Sequence, residues 1–221
     1  MSNDASITRL LIVDDHPVVR EGLSELINRE LDVKVVAAAD SADQALEILR
    51  EENIDVAIVD LSLPGISGIE LIRMIREEFA ALPVLVLSMH DENFYAERAL
   101  RAGARGYVMK QESICHVLEA VRKVRRGDLY VSEEVAEKML FRIVSGDSRD
   151  DPEVQRLSAR ELEVFQLIGQ GFSTREIAEM LHLSIKTIES YRANIKEKLN
   201  LRGAAELMQH AVKWVQLNLE S

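Results

Sequence analysis

The sequence holds one cysteine in 221 residues, Cys115, so it can form no internal disulfide and suits a reducing compartment. Aromatic residues make up only 5%, against 47% hydrophobic overall, so a core here must be mainly aliphatic. No apolar run approaches the length that crosses a bilayer. The polar stretch from Met1 to Thr8 lacks the basic-then-apolar order of an export signal. Neither glycine fingerprint of a nucleotide-phosphate loop occurs. These absences predict a soluble, cytoplasmic chain with no membrane partner and no bound nucleotide. The length exceeds the usual single domain and predicts two.

Charge is unevenly shared. Of the net −11, residues 1–150 carry 18 basic against 28 acidic side chains, a net of −10, and residues 151–221 carry 9 against 10, a net of −1. An acidic chain repels nucleic acid at long range, so any DNA-binding face must be locally basic.

From Arg9 to Lys110, short apolar runs alternate with amphipathic stretches. Leu10–Asp14, Val33–Ala39, Val56–Asp60, Val84–Ser88 and Gly106–Lys110 read as strands. Four of these are near-continuous Val/Ile/Leu runs, as strands buried on both faces require. Ser41 with Gln44, and Ser67 with Glu70, carry the spacing of capping boxes that open helices between them. Five strands alternating with helices predict a doubly wound parallel α/β sheet. Ser132 to Val144 reads as one more helix, and Ser145–Pro152 as a polar, turn-rich linker. Beyond Arg156 the strand signal ends. Ser158 with Glu161 and Ser173 with Glu176 are again capping boxes, Gly169 and Gly171 end the first helix, and Ser184 caps a third. This half predicts four short helices.

In an open parallel sheet, ligands bind beyond the carboxyl ends of the strands. Asp14 and Asp15 end the first strand, Asp60 the third, Ser88 the fourth and Lys110 the fifth, so all converge at one edge. Clustered anions need an offsetting cation, and a hard divalent ion such as Mg²⁺ takes carboxylates and phosphate oxygens. A carboxylate can also attack phosphorus and form an acyl phosphate, with Lys110 and Ser88 stabilising charge on the phosphoryl oxygens. Any one of these residues read alone is an ordinary solvated strand end; five ending four strands are not.

Asp14-Asp15, Asp60 followed by Leu63-Pro64-Gly65 and Gly68, then Ser88 and Gly106-Tyr107-Val108-Met109-Lys110, closely resemble the receiver domain of response regulators. The resemblance implies strand order 2-1-3-4-5, Asp60 as phosphoacceptor, and Ser88 with Lys110 as its catalytic partners. It implies Mg²⁺ held by Asp14, Asp15, Asp60 and the Ser62 backbone carbonyl, and Ser88 with Tyr107 as a switch pair. Ser62 and His90 lie where such domains tune dephosphorylation, though His90 reads equally as a solvated loop histidine. Cys115 reads as a small core residue, and Arg122, Lys123, Arg125 and Arg126 as a solvated helix face.

In the second half, Thr174–Leu181 and Ile185–Leu199 are joined by His182-Leu183-Ser184, a helix-turn-helix spacing. Ile185, Ile188, Ile195 and Leu199 form an apolar stripe. Ser184–Arg202 holds five basic and two acidic residues, a local +3. Leu157-Ser158-Ala159-Arg160-Glu161, Gly169-Gln170-Gly171, Glu176-Ile177-Ala178 and Ser184-Ile185-Lys186-Thr187-Ile188-Glu189 resemble the LuxR-type helix-turn-helix, and with a receiver the chain is similar to regulators of the NarL/FixJ class. That implies the helix from Ile185 in the major groove of double-stranded operator DNA and a dimer contact through the last helix. Glu189, Ser190, Ala193 and Asn194 are placed on base edges, and Lys186, Thr187, Arg192 and Lys196 on phosphates. The domains expected are 1–127 (receiver), 128–154 (linker helix and flexible linker) and 155–221 (DNA-binding). The partners expected are a sensor histidine kinase, operator DNA, a second copy when active, and RNA polymerase.

A Mg²⁺-dependent phosphatase with an aspartyl nucleophile is the competing enzyme reading. It usually needs a second carboxylate just after the nucleophile, where this sequence has Leu61-Ser62-Leu63-Pro64. A receiver that is only a docking platform is the other alternative, and the intact acidic set speaks against it. A non-enzymatic regulator is therefore expected, with the acidic receiver shielding the basic helix until Asp60 is phosphorylated.

Overall fold

The computed structural model describes residues 7–145, 154–181 and 183–219. The chain divides into two compact units, Met1–Glu137 and Lys138–Ser221.

The first unit is a five-stranded parallel sheet of β1 (Thr8–Val13), β2 (Val33–Ala39), β3 (Val56–Val59), β4 (Val84–Ser88) and β5 (Gly106–Met109), in the order β2-β1-β3-β4-β5. Every residue of β3 and β4 is buried, whereas edge strand β2 is buried mainly at its ends, which is why β2 alone lacks a continuous apolar run. Helices α1 (Pro17–Ile27) and α5 (Ile114–Arg125) cover one face, with Leu10, Ile12, Ile58, Leu85, Val117 and Val121 in a shared core. Helices α2 (Ala42–Glu51), α3 (Gly68–Glu78) and α4 (Glu92–Ala102) complete the unit.

Caps follow the sequence in part. The Ser67 hydroxyl accepts from the Glu70 amide, one half of the expected box. Ser41 makes no side-chain cap bond; Gln44 instead accepts from the Asp40 amide at 2.9 Å, so the box expected at Ser41 does not form. Cys115 is exposed and is not the core residue its apolar neighbours suggest. Of the basic run, Arg122 is paired with Asp32 and Glu30 (2.7 and 2.8 Å), Arg125 donates to the Thr8 hydroxyl, and Lys123 lies over the Tyr130 ring.

Helix α6 (Glu133–Ser145) forms where the sequence places it, and the expected linker lies outside the described residues from 146 on. The second unit packs α7 (Ala159–Gly169), α8 (Thr174–Met180), α9 (Ile185–Lys198) and α10 (Ala204–Leu219). Ser158 with Glu161 and Ser173 with Glu176 form complete capping boxes, and the Ser184 hydroxyl accepts from the Thr187 amide. Gly171, at φ +93°, is the residue that turns the chain out of α7. Gly169 does something else: a Cβ there would fall on the Ala211 carbonyl oxygen, so its glycine permits close packing of α7 on α10. Asn200 ends α9 in the left-handed region at φ 53°, a conformation asparagine tolerates.

Candidate functional site

The strand ends deliver the acidic residues to one edge because the backbone ladder continues past the strands. The Asp14 amide donates to Ala39 O (3.1 Å), Asp60 N to Val13 O (2.9 Å) and Lys110 N to Ser88 O (2.8 Å). Gly68 opens α3 directly beneath, and a Cβ there would fall on the Asp60 carbonyl oxygen. The loop carrying Leu61 to Ser67 therefore sits as close as backbone allows.

Asp14 and Asp60 are buried, and Lys110 Nζ stands 2.7 Å from Oδ2 of each. Burial opposes the Lys110 charge, but the Asp60 and Asp14 carboxylates outweigh it and raise its pKa above the ordinary lysine value. The other oxygen of Asp60, Oδ1, is buried and makes no hydrogen bond. A buried carboxylate oxygen without a donor is costly unless a cation or a reacting group meets it. One ligand atom each from Asp14, Asp15, His16 and Asp60 all lie within 4.8 Å of one another. Three carboxylates and one ammonium leave an excess of negative charge, so this donor set fits a divalent cation.

Ser88 is fully buried and its hydroxyl accepts from the His90 amide at 3.3 Å. The Tyr107 ring is buried beside it, and its hydroxyl donates to the His90 carbonyl at 2.8 Å. Burial pushes the Tyr107 phenol far above its ordinary pKa; the Ser88 hydrogen bond works the other way and the Asp60 charge adds to the rise. His90 is not a solvated loop histidine. It is buried, stacks on Tyr95 with ring centroids 4.5 Å apart, and its Nε2 lies 2.9 Å from the Ser62 hydroxyl.

Two residues at this edge were not among those predicted. Arg20 reaches back from α1 to donate to the Asp14 carbonyl at 2.5 Å. His16 places Nδ1 2.8 Å from Asp15 Oδ1 and 3.2 Å from Asp14 Oδ1. The signal for His16 was its place in the sequence, between an Asp pair that ends a strand and a proline that opens a helix.

In the helical unit, Ile188 and Ile195 of α9 and Leu199 just after it are buried as the stripe predicts, whereas Ile185 is exposed. Lys186, Glu189, Ser190, Ala193 and Asn194 are exposed, and Thr187, Arg192 and Lys196 half-buried. The Ser190 hydroxyl donates to the Lys186 carbonyl at 3.0 Å, and the Thr187 hydroxyl lies 2.7 Å from that of Ser184. Lys198, counted in the basic excess, is drawn away: its Nζ pairs at 2.6 Å with the buried Glu161 of α7. The open basic charge on this helix is smaller than the sequence suggests.

Residues 10–122 match the family described as the response regulator receiver domain, and residues 155–211 match the bacterial regulatory proteins of the luxR family. The chain belongs to the response regulators of the LuxR family. Oxygen regulatory protein NreC of Staphylococcus carnosus (strain TM300) is 37% identical over 211 residues, covering 93% of this chain and 97% of that one. RcsB from Salmonella enterica serovar Typhimurium, bound to promoter rprA with phosphomimetic BeF3-, is 28% identical with a TM-score of 0.57, covering 94% and 99%. A structure of two RcsB dimers on two parallel DNAs is similar at 29% identity and TM-score 0.57, covering 95% and 100%. As a response regulator joining a receiver to a LuxR-type helix-turn-helix, the protein is a phosphorylation-dependent, DNA-binding transcription regulator. No helix among the described residues is long and apolar enough to cross a membrane.

Proposed function

We propose that Asp60 is the phosphoacceptor of this response regulator, and that the exposed face of α9 reads the operator. The observation that carries the first half is the asymmetry of one buried carboxylate. Asp60 Oδ2 is held by Lys110, while Oδ1 is free of donors at the open edge of the sheet. That oxygen attacks phosphorus, the bond from phosphorus to a phosphohistidine nitrogen on the cognate sensor kinase breaks, and its electron pair leaves with the imidazole. Lys110 and the Ser88 hydroxyl donate to the phosphoryl oxygens. Asp14, Asp15, Asp60 and the Ser62 carbonyl would hold Mg²⁺, which offsets the charge of carboxylates and phosphoryl group together.

Ser88 and Tyr107 form the switch. Because the ring is already buried and bonded to the His90 carbonyl, phosphorylation would hold it inside rather than draw it in. Residues 1–127 act as receiver, 128–154 as connection and 155–221 as the DNA-binding part. Glu189, Ser190, Ala193 and Asn194 meet base edges; Lys186, Thr187, Arg192 and Lys196 meet phosphates. A second copy joins through α10, in keeping with RcsB dimers on DNA. RNA polymerase is the downstream partner, and the cytoplasm, where the genome lies, is the place of action.

The test is labelling of the full chain by a small phosphodonor with Mg²⁺. Asp60→Asn keeps the size and removes the nucleophile, so incorporation is expected to vanish with little change in the melting curve. Undiminished labelling of that variant would overturn the assignment.

A further inference from the structure

We propose that His16 is a nitrogen donor of the acidic site, so that the site takes borderline first-row divalent ions of the Co²⁺ to Zn²⁺ class more tightly than its carboxylates alone allow. The inference rests on reading Asp14, Asp15 and Asp60 as a divalent-cation site. Lys110 engages Oδ2 of Asp14 and of Asp60. The opposite side of the cluster is left with Asp14 Oδ1, Asp15 Oδ1 and Asp60 Oδ1, and Asp60 Oδ1 makes no hydrogen bond.

His16 Nδ1 stands on that side, 3.2 Å from Asp14 Oδ1 and 2.8 Å from Asp15 Oδ1. Adjacent donors on one ion with bond lengths near 2.0–2.2 Å lie about 3 Å apart. The imidazole is thus already at ligand spacing from two carboxylates. Its backbone is fixed there as well: the His16 amide donates to Asp14 Oδ1 at 2.9 Å, and Pro17 starts α1 at the next residue. The backbone of residue 16 is thereby tied both to the site and to the entry of the helix. An all-oxygen set suits Mg²⁺, whereas imidazole adds affinity for the later first-row ions.

Co²⁺ and Mg²⁺ are the probes, titrated calorimetrically into the full chain and into His16→Asn and Asp15→Asn variants. Asparagine suits the residue before a helix and offers oxygen in place of nitrogen, so the His16→Asn chain should fold. It is expected to lose at least about tenfold in Co²⁺ affinity with Mg²⁺ affinity little changed. A contact-shifted imidazole N–H resonance in the Co²⁺-loaded wild type should disappear in the same variant. An unchanged Co²⁺ to Mg²⁺ ratio, with the shifted resonance either absent or retained in His16→Asn, overturns the role of His16. Full retention of both ions by Asp15→Asn overturns instead the cation site itself.

Discussion

At the scale of single residues, the receiver edge is set by close approaches that few side chains permit. Gly68 has the Asp60 carbonyl where a Cβ would be, and Leu61 Cα lies 2.6 Å from that point. The obstacle is backbone, so Gly68→Ala must shift the loop that carries the phosphoacceptor. We expect it to cost about 1–3 kcal/mol of stability and to slow phosphorylation, read by thermal melting and by the rate of labelling. Wild-type values in both would mean the loop yields freely. Lys110 offers a second case. Its ammonium stands 2.7 Å from Asp60 Oδ2, and it is suited to charge developing on phosphoryl oxygens. Lys110→Ala should slow phosphodonor labelling on the order of 10²-fold while Asp60 remains the labelled residue. A rate within about twofold of wild type would remove Lys110 from the chemistry.

At the scale of elements, the second unit hangs on one buried carboxylate. Glu161 closes the capping box of α7 by accepting from the Ser158 amide at 2.7 Å, and the same Oε2 receives Lys198 from the end of α9 at 2.6 Å. Burial works to raise its pKa, but the Lys198 and Ser158 hydrogen bonds prevail and hold it below the ordinary glutamate value of 4.5. The contribution is therefore present at pH above that ordinary value. It is lost as pH falls through the lower folded-state pKa. Trp214, the only tryptophan in the sequence, lies on α10 with its ring 5.8 Å from that of Phe165 on α7, so its fluorescence reports this unit. We expect Glu161→Gln to destabilise the tryptophan-monitored transition by about 1–2 kcal/mol near neutral pH, and by less in acid. An equal deficit at all pH values would show that the charge is not what matters.

At the scale of the whole molecule, a phosphoryl group on one unit must change what the other does on DNA. Coupling between sites of this kind is typically worth ~1–3 kcal/mol, about 5- to 150-fold in affinity. One operator titrated at fixed salt with unphosphorylated and phosphorylated full chain should show a gain in that range. Equal affinities would mean that phosphorylation acts by recruiting partners instead. Dimerisation is expected to supply part of the gain. On α10, Leu207, Ala211 and Val215 are buried, whereas Met208 is exposed and Val212 half-buried. Met208→Glu should weaken operator binding and leave the tryptophan-monitored transition in place, and footprints should show approximate two-fold symmetry. A monomer covering a single half-site would contradict the dimer.

Some of this was legible in the residues alone. Period and composition decide that buried parallel strands alternate with amphipathic helices, because each strand must be apolar on both faces and each helix on one. The chemistry-bearing residues at the strand ends could be named for the same reason, since a parallel sheet sends every carboxyl end to one edge. Capping pairs at Ser158 and Ser173 were readable because a hydroxyl and a carboxylate three residues apart satisfy local amides with no help from elsewhere. Everything that depends on contacts between elements distant in sequence was decided only by the tertiary structure. Cys115 beside Ile114, and Ile185 at the head of an apolar stripe, are exposed all the same. His90 is buried because Tyr95, Ser62 and Tyr107 close around it. Gly169 reads as a helix stop but is the point where α7 and α10 touch. Lys198 reads as part of the basic excess of the second helix until Glu161, 37 residues earlier, takes its charge. Local spacing fixes what a residue can do with its own backbone; which side of it another helix covers is settled only when the chain packs.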